Sequence, residues 1–199
     1  MASVRFVLGL LETESIPDVV FRLRDSCRPK VTVWSDASWS PDPLSKLGSG
    51  RVASIAKLVW PDARGRVVFA ESIVPASVLG QLHELRKQRI FITPLEEIAI
   101  AAPYICLELA DDIAGCDVLH FADNTAANAA LVKGYSASPD LAAMVGSLHL
   151  RLAREAIRPW IHLVPSALNP ADAPSRGDFE ELHRIGAIRV SFVFPDLLA

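Results

Sequence analysis

Short apolar runs in this chain alternate with stretches whose apolar residues recur at helical spacing. The runs rich in β-branched and aromatic residues predict strands at 31–36, 51–60, 66–74, 117–123 and 160–165. Helical spacing predicts helices beginning at Thr93, Asn124 and Pro139, and a last helical segment ending near Arg184. Residues 38–50, with two prolines and two glycines, predict a loop. Three successive strands followed by alternating helices and strands predict an α/β fold, a mixed sheet with helices on its faces.

The length of 199 residues suits one domain with short appendages. We predict a domain over residues 31–185, an N-terminal extension of unclear role over 1–30, and a C-terminal tail over 186–199 that includes a candidate short strand. No apolar stretch approaches the roughly 18 residues of a membrane span, and the N-terminus lacks the pattern of a secretory signal. These features predict a soluble, intracellular protein without a membrane partner.

The net charge of −3 gives no global attraction to nucleic acid, so local basic clusters matter more than the total. Two such clusters occur: Arg86, Lys87 and Arg89, and Arg151, Arg154 and Arg158. Each fits either a phosphate-tracking surface or a solvated helix face.

Four acidic residues stand in four different settings. Asp36 and Asp123 each end a predicted strand, Glu96 opens a predicted helix, and Asp172 follows the turn at Asn169. If the two strands are parallel neighbours, both aspartates project from the same sheet edge, where open α/β sheets place their ligand sites. Carboxylates that converge from such places suit hard divalent cations.

Each acid also has a structural alternative. Asp123 fits the cap of the helix after it, and Asp172 fits a carboxylate at a helix N-terminus. At 3.6 residues per turn, Glu96 and Glu97 lie on opposite flanks of the apolar stripe of their helix. Periodicity therefore does not choose between the two glutamates.

The sequence around the four acids resembles the ribonuclease H domain attached to reverse transcriptases of retroelements. The likeness is strongest to the tyrosine-recombinase (DIRS-like) and Ty3-like groups, and it spans about residues 31–180. It is carried by the segments TVWSDAS, ITPLEEIAIA, VLHFADNTAANAALVKGYS and VPSALNPADAPSR. The resemblance implies a ribonuclease H-like fold with a five-stranded mixed sheet, in which three antiparallel strands precede the parallel ones. It also selects Glu96 over Glu97.

The activity implied by the resemblance is two-metal hydrolysis of the RNA strand in an RNA–DNA hybrid. Asp36 would be shared by both ions, Glu96 and Asp123 would complete one site, and Asp172 the other. An all-oxygen site of this kind suits two Mg²⁺ ions, with Mn²⁺ as a substitute. The implied partners are the hybrid and a neighbouring reverse transcriptase domain in a parent polyprotein.

The chain departs from the family in two ways. The loop at 166–171 has no histidine, where cellular members often carry one, and the nearest, His162, lies in the preceding strand. The basic handle helix of cellular enzymes is also missing. Substrate affinity would then depend on the neighbouring polymerase domain.

Candidate substrate contacts lie beside the acids in the sequence. They are Ser38, Asn124, Thr125, Asn169 and Arg176. Their side chains offer hydrogen bonds or positive charge to the hybrid backbone or to a 2′-hydroxyl. Trp39 fits either stacking on a sugar or base, or packing on the strands.

Two other functions compete with the hybrid nuclease. One is a catalytically silent domain of this fold that holds a polymerase on its template, although it would have no need to concentrate negative charge. The other is a different nuclease of the ribonuclease H-like superfamily, a 3′–5′ exonuclease or a junction resolvase. The setting of Asp172 favours the retroelement type.

Overall fold

The computed structural model describes residues 28–42, 45–59, 65–86, 92–105, 109, 112–190, 192 and 194. Within them, six strands form one mixed sheet: β1 (Lys30–Asp42), β2 (Ser45–Val59), β3 (Arg66–Ile73), β4 (Asp117–Ala122), β5 (Arg158–Leu163) and β6 (Ile188–Val190). Their order across the sheet is β5-β4-β1-β2-β3-β6. The β1–β2 and β2–β3 pairs are antiparallel, whereas β4 runs parallel to β1, β5 to β4, and β6 to β3.

The helices connect and cover these strands. They are α1 (Ala76–Arg86), α2 (Ile92–Ile105), α3 (Thr125–Lys133), α4 (Pro139–Arg154), α5 (Asp172–Ser175) and α6 (Glu180–Arg184), with a 3-10 turn at Ser166–Leu168. The Asn124 side chain caps the N-terminus of α3, and Gly134 ends this helix in the left-handed region at φ 73°. Among the described residues, no helix is both long and apolar enough to span a membrane.

The alternation of side chains along the strands builds a core on each face of the sheet. On one face, Val33 and Val118 pack with Ile100 of α2 and Val145 of α4 in the largest buried cluster. On the other face, Ile55, Phe69 and Leu182 form a smaller cluster under α5 and α6. The short helix that begins at Asp172 therefore lies across the sheet from α2.

The predicted architecture of a mixed α/β sheet flanked by helices is confirmed, but the described residues form six strands and not five. The additional strand is β6 in the C-terminal tail, whose residue Ile188 pairs with Val68 of β3. It has only three residues, all at least partly exposed, and it falls within the candidate short strand predicted for the tail. Most of the N-terminal extension 1–30 lies outside the described residues.

The predicted loop at 38–50 is wrong over most of its length, because β1 and β2 continue through it as a long hairpin. Ser38 pairs with Arg51, and Trp39 pairs with Gly50. The register shifts between Ser40 and Asp42, which accommodates the intervening proline as a bulge does. Glycine also serves packing here, because a Cβ on Gly50 would lie 2.7 Å from Leu95 of α2.

Candidate metal centre

Asp36 and Asp123 occupy equivalent positions on two neighbouring parallel strands. The β1–β4 ladder ends at the pair Trp34 and Phe121, and each aspartate lies two residues farther along its own chain. Both carboxylates therefore stand at the carboxyl-terminal end of the parallel strands, the edge where α/β sheets hold their ligands.

Glu96 comes to the same edge from α2. This helix is buried on nearly all sides, from Pro94 through Ile100, because it packs between the sheet and α4. Leu95 and Ile98 pack against Ala37 and Val52 of the first two strands, and this packing seats the N-terminal part of the helix beside Asp36.

The three side chains converge. One carboxylate oxygen from each of Asp36, Glu96 and Asp123 lies within 4.8 Å of the other two. Asp36 and Glu96 are each only 4% exposed, whereas Asp123 is partly exposed and gives the cluster its opening to solvent. Glu97 is also buried, because α2 is buried on both flanks, but it is not a member of this cluster.

Burial and mutual repulsion disfavour the charged forms of these acids. Burial is the main cause that raises the pKa of Asp36 to about 7, and the negative charges of Asp123 and Asp172 add to it. Burial likewise raises the pKa of Glu96 to about 9, and the charges of Asp36 and Asp123 raise it further. Among the described residues the three carboxylates form no ion pair; Arg176 interacts electrostatically with Asp36 and Asp123, but its guanidinium is bound to Asp172.

The residues of the cluster fit a hard divalent cation. Oε2 of Glu96 is buried and has no hydrogen-bond partner among the described residues, although buried polar atoms are nearly always paired. The donors are all carboxylate oxygens, the type that Mg²⁺ and Mn²⁺ prefer. A bound cation would supply both the missing partner and the missing charge.

Asp172 lies near this cluster but outside the 4.8 Å group. It is the first residue of α5, and its charge raises the pKa of both Asp36 and Glu96. Its carboxylate accepts two hydrogen bonds from Arg176, at 2.8 Å from Nη2 and 3.0 Å from Nε. The fourth acid thus faces the same site while held by an arginine.

Ser175 is a member of the site that is not among the candidate residues of the sequence analysis. It is fully buried, and its hydroxyl donates to Oδ2 of Asp36. The Oγ of Ser175 also lies 2.9 Å from the carbonyl oxygen of Asp172. The Ser38 hydroxyl donates to the carbonyl oxygen of Ser175 at 2.5 Å. The signal in the sequence that could have identified Ser175 is its position one helical turn after Asp172.

Two of the candidate substrate contacts have structural tasks. Oδ1 of Asn124 accepts the backbone N–H groups of Ala126 and Ala127 at 3.1 and 3.0 Å. Asn169 is buried, and its Nδ2 donates to the Ser35 carbonyl oxygen at 2.9 Å. Contact of either residue with substrate stays a prediction.

Of the remaining candidates, Thr125 and Arg176 are exposed beside the acids, and Ser38 is partly exposed. Trp39 packs on the hairpin and donates through Nε1 to the Leu47 carbonyl oxygen at 3.2 Å. His162 is exposed on β5, with its ring 5.9 Å from that of Phe121.

The basic cluster around α4 lies away from the acids. Arg158 pairs with Asp117 at 2.7 Å, at the amino-terminal ends of β5 and β4 and so opposite the carboxylate edge. Arg151 pairs with Glu155 at 3.5 Å, and Arg154 is exposed. In the other cluster, Lys87 and Arg89 lie outside the described residues.

No protein-family model matches this chain, and no curated protein matches its sequence. Solved structures do match. RNase H1 from the halophilic archaeon Halobacterium salinarum NRC-1 is 18% identical, with a TM-score of 0.48, over 73% of this chain and 93% of that chain. The protease–reverse transcriptase of prototype foamy virus is 16% identical, with a TM-score of 0.44, over 80% of this chain and 21% of that chain.

The N-terminal RNase H domain of Rv2228c from Mycobacterium tuberculosis, solved as a fusion with maltose binding protein, is 12% identical to this chain. The match covers 80% of this chain and 99% of that chain, with a TM-score of 0.50. Taken with the six-stranded mixed sheet and its flanking helices, this match shows that the chain has a ribonuclease H-like fold.

Proposed function

We propose that this protein is a metal-dependent endonuclease that hydrolyses the RNA strand of RNA–DNA hybrids. The observation that carries the proposal is the convergence of Asp36, Glu96 and Asp123 from β1, α2 and β4 to within 4.8 Å. Such a concentration of buried negative charge costs folding energy, and a silent scaffold domain has no use for it. The ribonuclease H-like fold supports this choice among metal-dependent hydrolases.

In this proposal the chain's own carboxylates hold the metal ions. Asp36 would be the shared ligand, Glu96 and Asp123 would complete one site, and Asp172 would turn from Arg176 to complete the other. Bound divalent cations would supply a means to activate the attacking water and positive charge to stabilise the leaving 3′-oxygen. Ser175 would orient Asp36 by holding Oδ2.

Recognition of the substrate would use the polar side chains at the same edge. Arg176 has a largely exposed side chain and would contact a phosphate once it leaves Asp172. Thr125 and the backbone at the start of α3 would offer hydrogen bonds to a sugar, where a 2′-hydroxyl distinguishes RNA from DNA. Ser38, Asn124 and Asn169 complete the proposed set.

The proposed context is a reverse transcriptase. The net charge is −3, and Arg151 and Arg158 are committed to ion pairs, Arg158 at the far end of the sheet. A neighbouring polymerase domain would therefore provide much of the affinity for the hybrid.

The experiment is cleavage of an end-labelled RNA–DNA hybrid with Mg²⁺, beside single-stranded RNA and duplex DNA. Internal cuts in the RNA of the hybrid alone are expected. Hybrid binding without cleavage would favour the silent domain, and stepwise loss from a DNA 3′ end would favour an exonuclease. Asp117→Asn is a matched control, because this aspartate lies at the opposite sheet edge; it should cleave like the unmodified protein.

A further inference from the structure

A buried polar network crosses the core directly beneath the acids. Nδ1 of His120 lies 2.8 Å from the Tyr104 hydroxyl, and its Nε2 lies 2.9 Å from the Ser35 hydroxyl. The carbonyl oxygen of Ser35 then accepts the bond from Asn169. Tyr104, His120 and Ser35 are 0% exposed, so no solvent competes for these bonds.

Each member of this network lies in a segment of the chain that carries one of the four acids. Ser35 directly precedes Asp36 on β1. His120 lies three residues before Asp123 at the end of β4, and Asn169 lies three residues before Asp172. Tyr104 is on α2, two helical turns after Glu96. The network therefore joins all four acid-bearing segments through three hydrogen bonds.

The two ring nitrogens of His120 give the two hydroxyls of the network opposite roles. Burial lowers the pKa of His120 to about 3, which keeps the ring neutral. A neutral imidazole has one N–H donor and one acceptor nitrogen, so one of the two hydroxyls donates to the ring and the other accepts from it. A fully paired buried network of this kind restricts its members to one arrangement, which apolar side chains of similar size would not do.

Such a restriction matters at this place because the carboxylates above it repel one another. Without cations, repulsion among Asp36, Glu96 and Asp123 favours separation of their segments. Metal affinity depends on holding the ligands at a fixed spacing, and partners behind the ligands contribute to it.

We propose that Tyr104, His120 and Ser35 are positioning residues that hold the acid-bearing segments at the spacing required for divalent cations. This inference rests on the proposed function, because it concerns the affinity of the same carboxylates for metal. It assigns a task to a histidine that touches neither substrate nor metal.

The test is Mn²⁺ binding, measured by calorimetry on the full chain without nucleic acid, in Tyr104→Phe and Ser35→Ala. Each substitution removes a hydroxyl and keeps the side chain otherwise small or unchanged. We expect each to raise the Kd for Mn²⁺ about tenfold, in the range found for partners behind metal ligands. The double variant should bind Mn²⁺ with about the Kd of the weaker-binding single variant, because either change interrupts the same chain of bonds.

Ser54→Ala is the matched control. Ser54 is the β2 partner of Ser35, and its buried hydroxyl also ties α2 to the sheet, through the Ala99 carbonyl oxygen at 2.6 Å. We expect Ser54→Ala and Tyr104→Phe both to lower the unfolding temperature, while the Kd of Ser54→Ala for Mn²⁺ stays within about twofold of the unmodified protein. At saturating Mn²⁺, Tyr104→Phe should cleave the hybrid with the same kcat and KM as the unmodified protein.

Mn²⁺ binding by Tyr104→Phe equal to that of the unmodified protein would overturn the inference while leaving the proposed function intact. Equal weakening by Ser54→Ala would overturn it too, because general loosening of α2 would then be the cause. Failure of the unmodified protein itself to bind Mn²⁺ would instead refute the proposed function, and the inference with it.

Discussion

The Ser175 hydroxyl donates a hydrogen bond to Asp36 Oδ2, joining two residues that are 139 positions apart. The bond holds α5, which begins at Asp172, against the central strand β1. It also lowers the pKa of Asp36, in opposition to the burial that raises it. One hydroxyl therefore affects both the position of the fourth acid and the charge of the first.

Ser175→Ala should move the acid limb of the activity profile to higher pH. Without this donor, the charged form of Asp36 loses a stabilising partner, so its pKa rises further and metal binding requires a higher pH. The check is kcat/KM against pH at fixed Mg²⁺, with Ser72→Ala on β3 as the control. An acid limb at the same pH in both variants would contradict the assigned effect.

Asp36→Asn and Asp123→Asn should each abolish cleavage while the fold stays intact. An amide cannot replace the negative charge that the cations require, but it is similar in size to the carboxylate. The metal-free Asp36→Asn variant should be at least as stable as the unmodified protein, because a buried repulsive charge is removed. Circular dichroism melting and hybrid cleavage check both parts. Full activity in either variant would overturn the metal assignment.

The metal-free protein should lose stability as the pH rises from about 6 to 9. Folding raises the pKa of Asp36 to about 7 and of Glu96 to about 9, above the ordinary 3.8 and 4.5. In this window the folded protein holds protons that the unfolded chain has released, so stability falls with rising pH.

Denaturant unfolding at several pH values, with and without Mn²⁺, measures this effect. Mn²⁺ should stabilise most at high pH, where the carboxylates are charged. A double variant Asp36→Asn, Glu96→Gln should lose most of the pH dependence. A metal-free protein that is more stable at pH 9 than at pH 6 would contradict the prediction.

Glu96→Gln and Glu97→Gln should behave differently although the residues are adjacent and both are buried. Only Glu96 belongs to the three-carboxylate cluster. Because Glu96 is itself a proposed ligand, we expect Glu96→Gln to reduce cleavage at limiting Mg²⁺ by more than the roughly 10–100-fold lost when a partner behind a ligand is removed. Glu97→Gln should retain activity within a few-fold. Comparable losses in both variants would show that the helix, not the ligand, is responsible.

Arg176→Gln should weaken hybrid binding with little effect on folding. Its ion pair with Asp172 is an exposed i,i+4 pair, a type that contributes about 0.3–0.5 kcal/mol. If the guanidinium contacts a phosphate in the complex, KM for the hybrid rises several-fold and its salt dependence becomes shallower. Arg184→Gln, which removes a similar pair with Glu181, is the control and should change neither.

The strand-end aspartates show what the sequence can predict. Apolar runs predicted strands that end at Asp36 and Asp123. Although β1 continues to Asp42, its parallel pairing with β4 brings these two aspartates together. Glu96 could not be separated from Glu97 in this way, because the choice depends on how a helix buried on both flanks is rotated against the sheet. Only the resemblance to a family made that choice.

The remaining features depend on contacts between distant segments. In the sequence, Ser175 resembles a turn residue, and its hydrogen bond to Asp36 depends on how α5 packs on β1. His120 is one polar residue in an apolar strand, and its hydrogen bonds to Tyr104 and Ser35 form only in the folded core. The short strand β6 lies in the tail where the sequence offered a candidate strand, but its place beside β3 follows only from the assembled sheet. The long hairpin was missed because prolines and glycines indicate turns unless a bulge accommodates them.

The position of β1 between an antiparallel and a parallel neighbour has a kinetic consequence. β1 and β2 can pair early as a local hairpin, but β4 joins β1 only after β3 and the helices between them have been brought close. Closing such a large loop is slow compared with forming a hairpin. During synthesis, the edge that carries Asp36 and Asp123 therefore assembles only after β4 has left the ribosome.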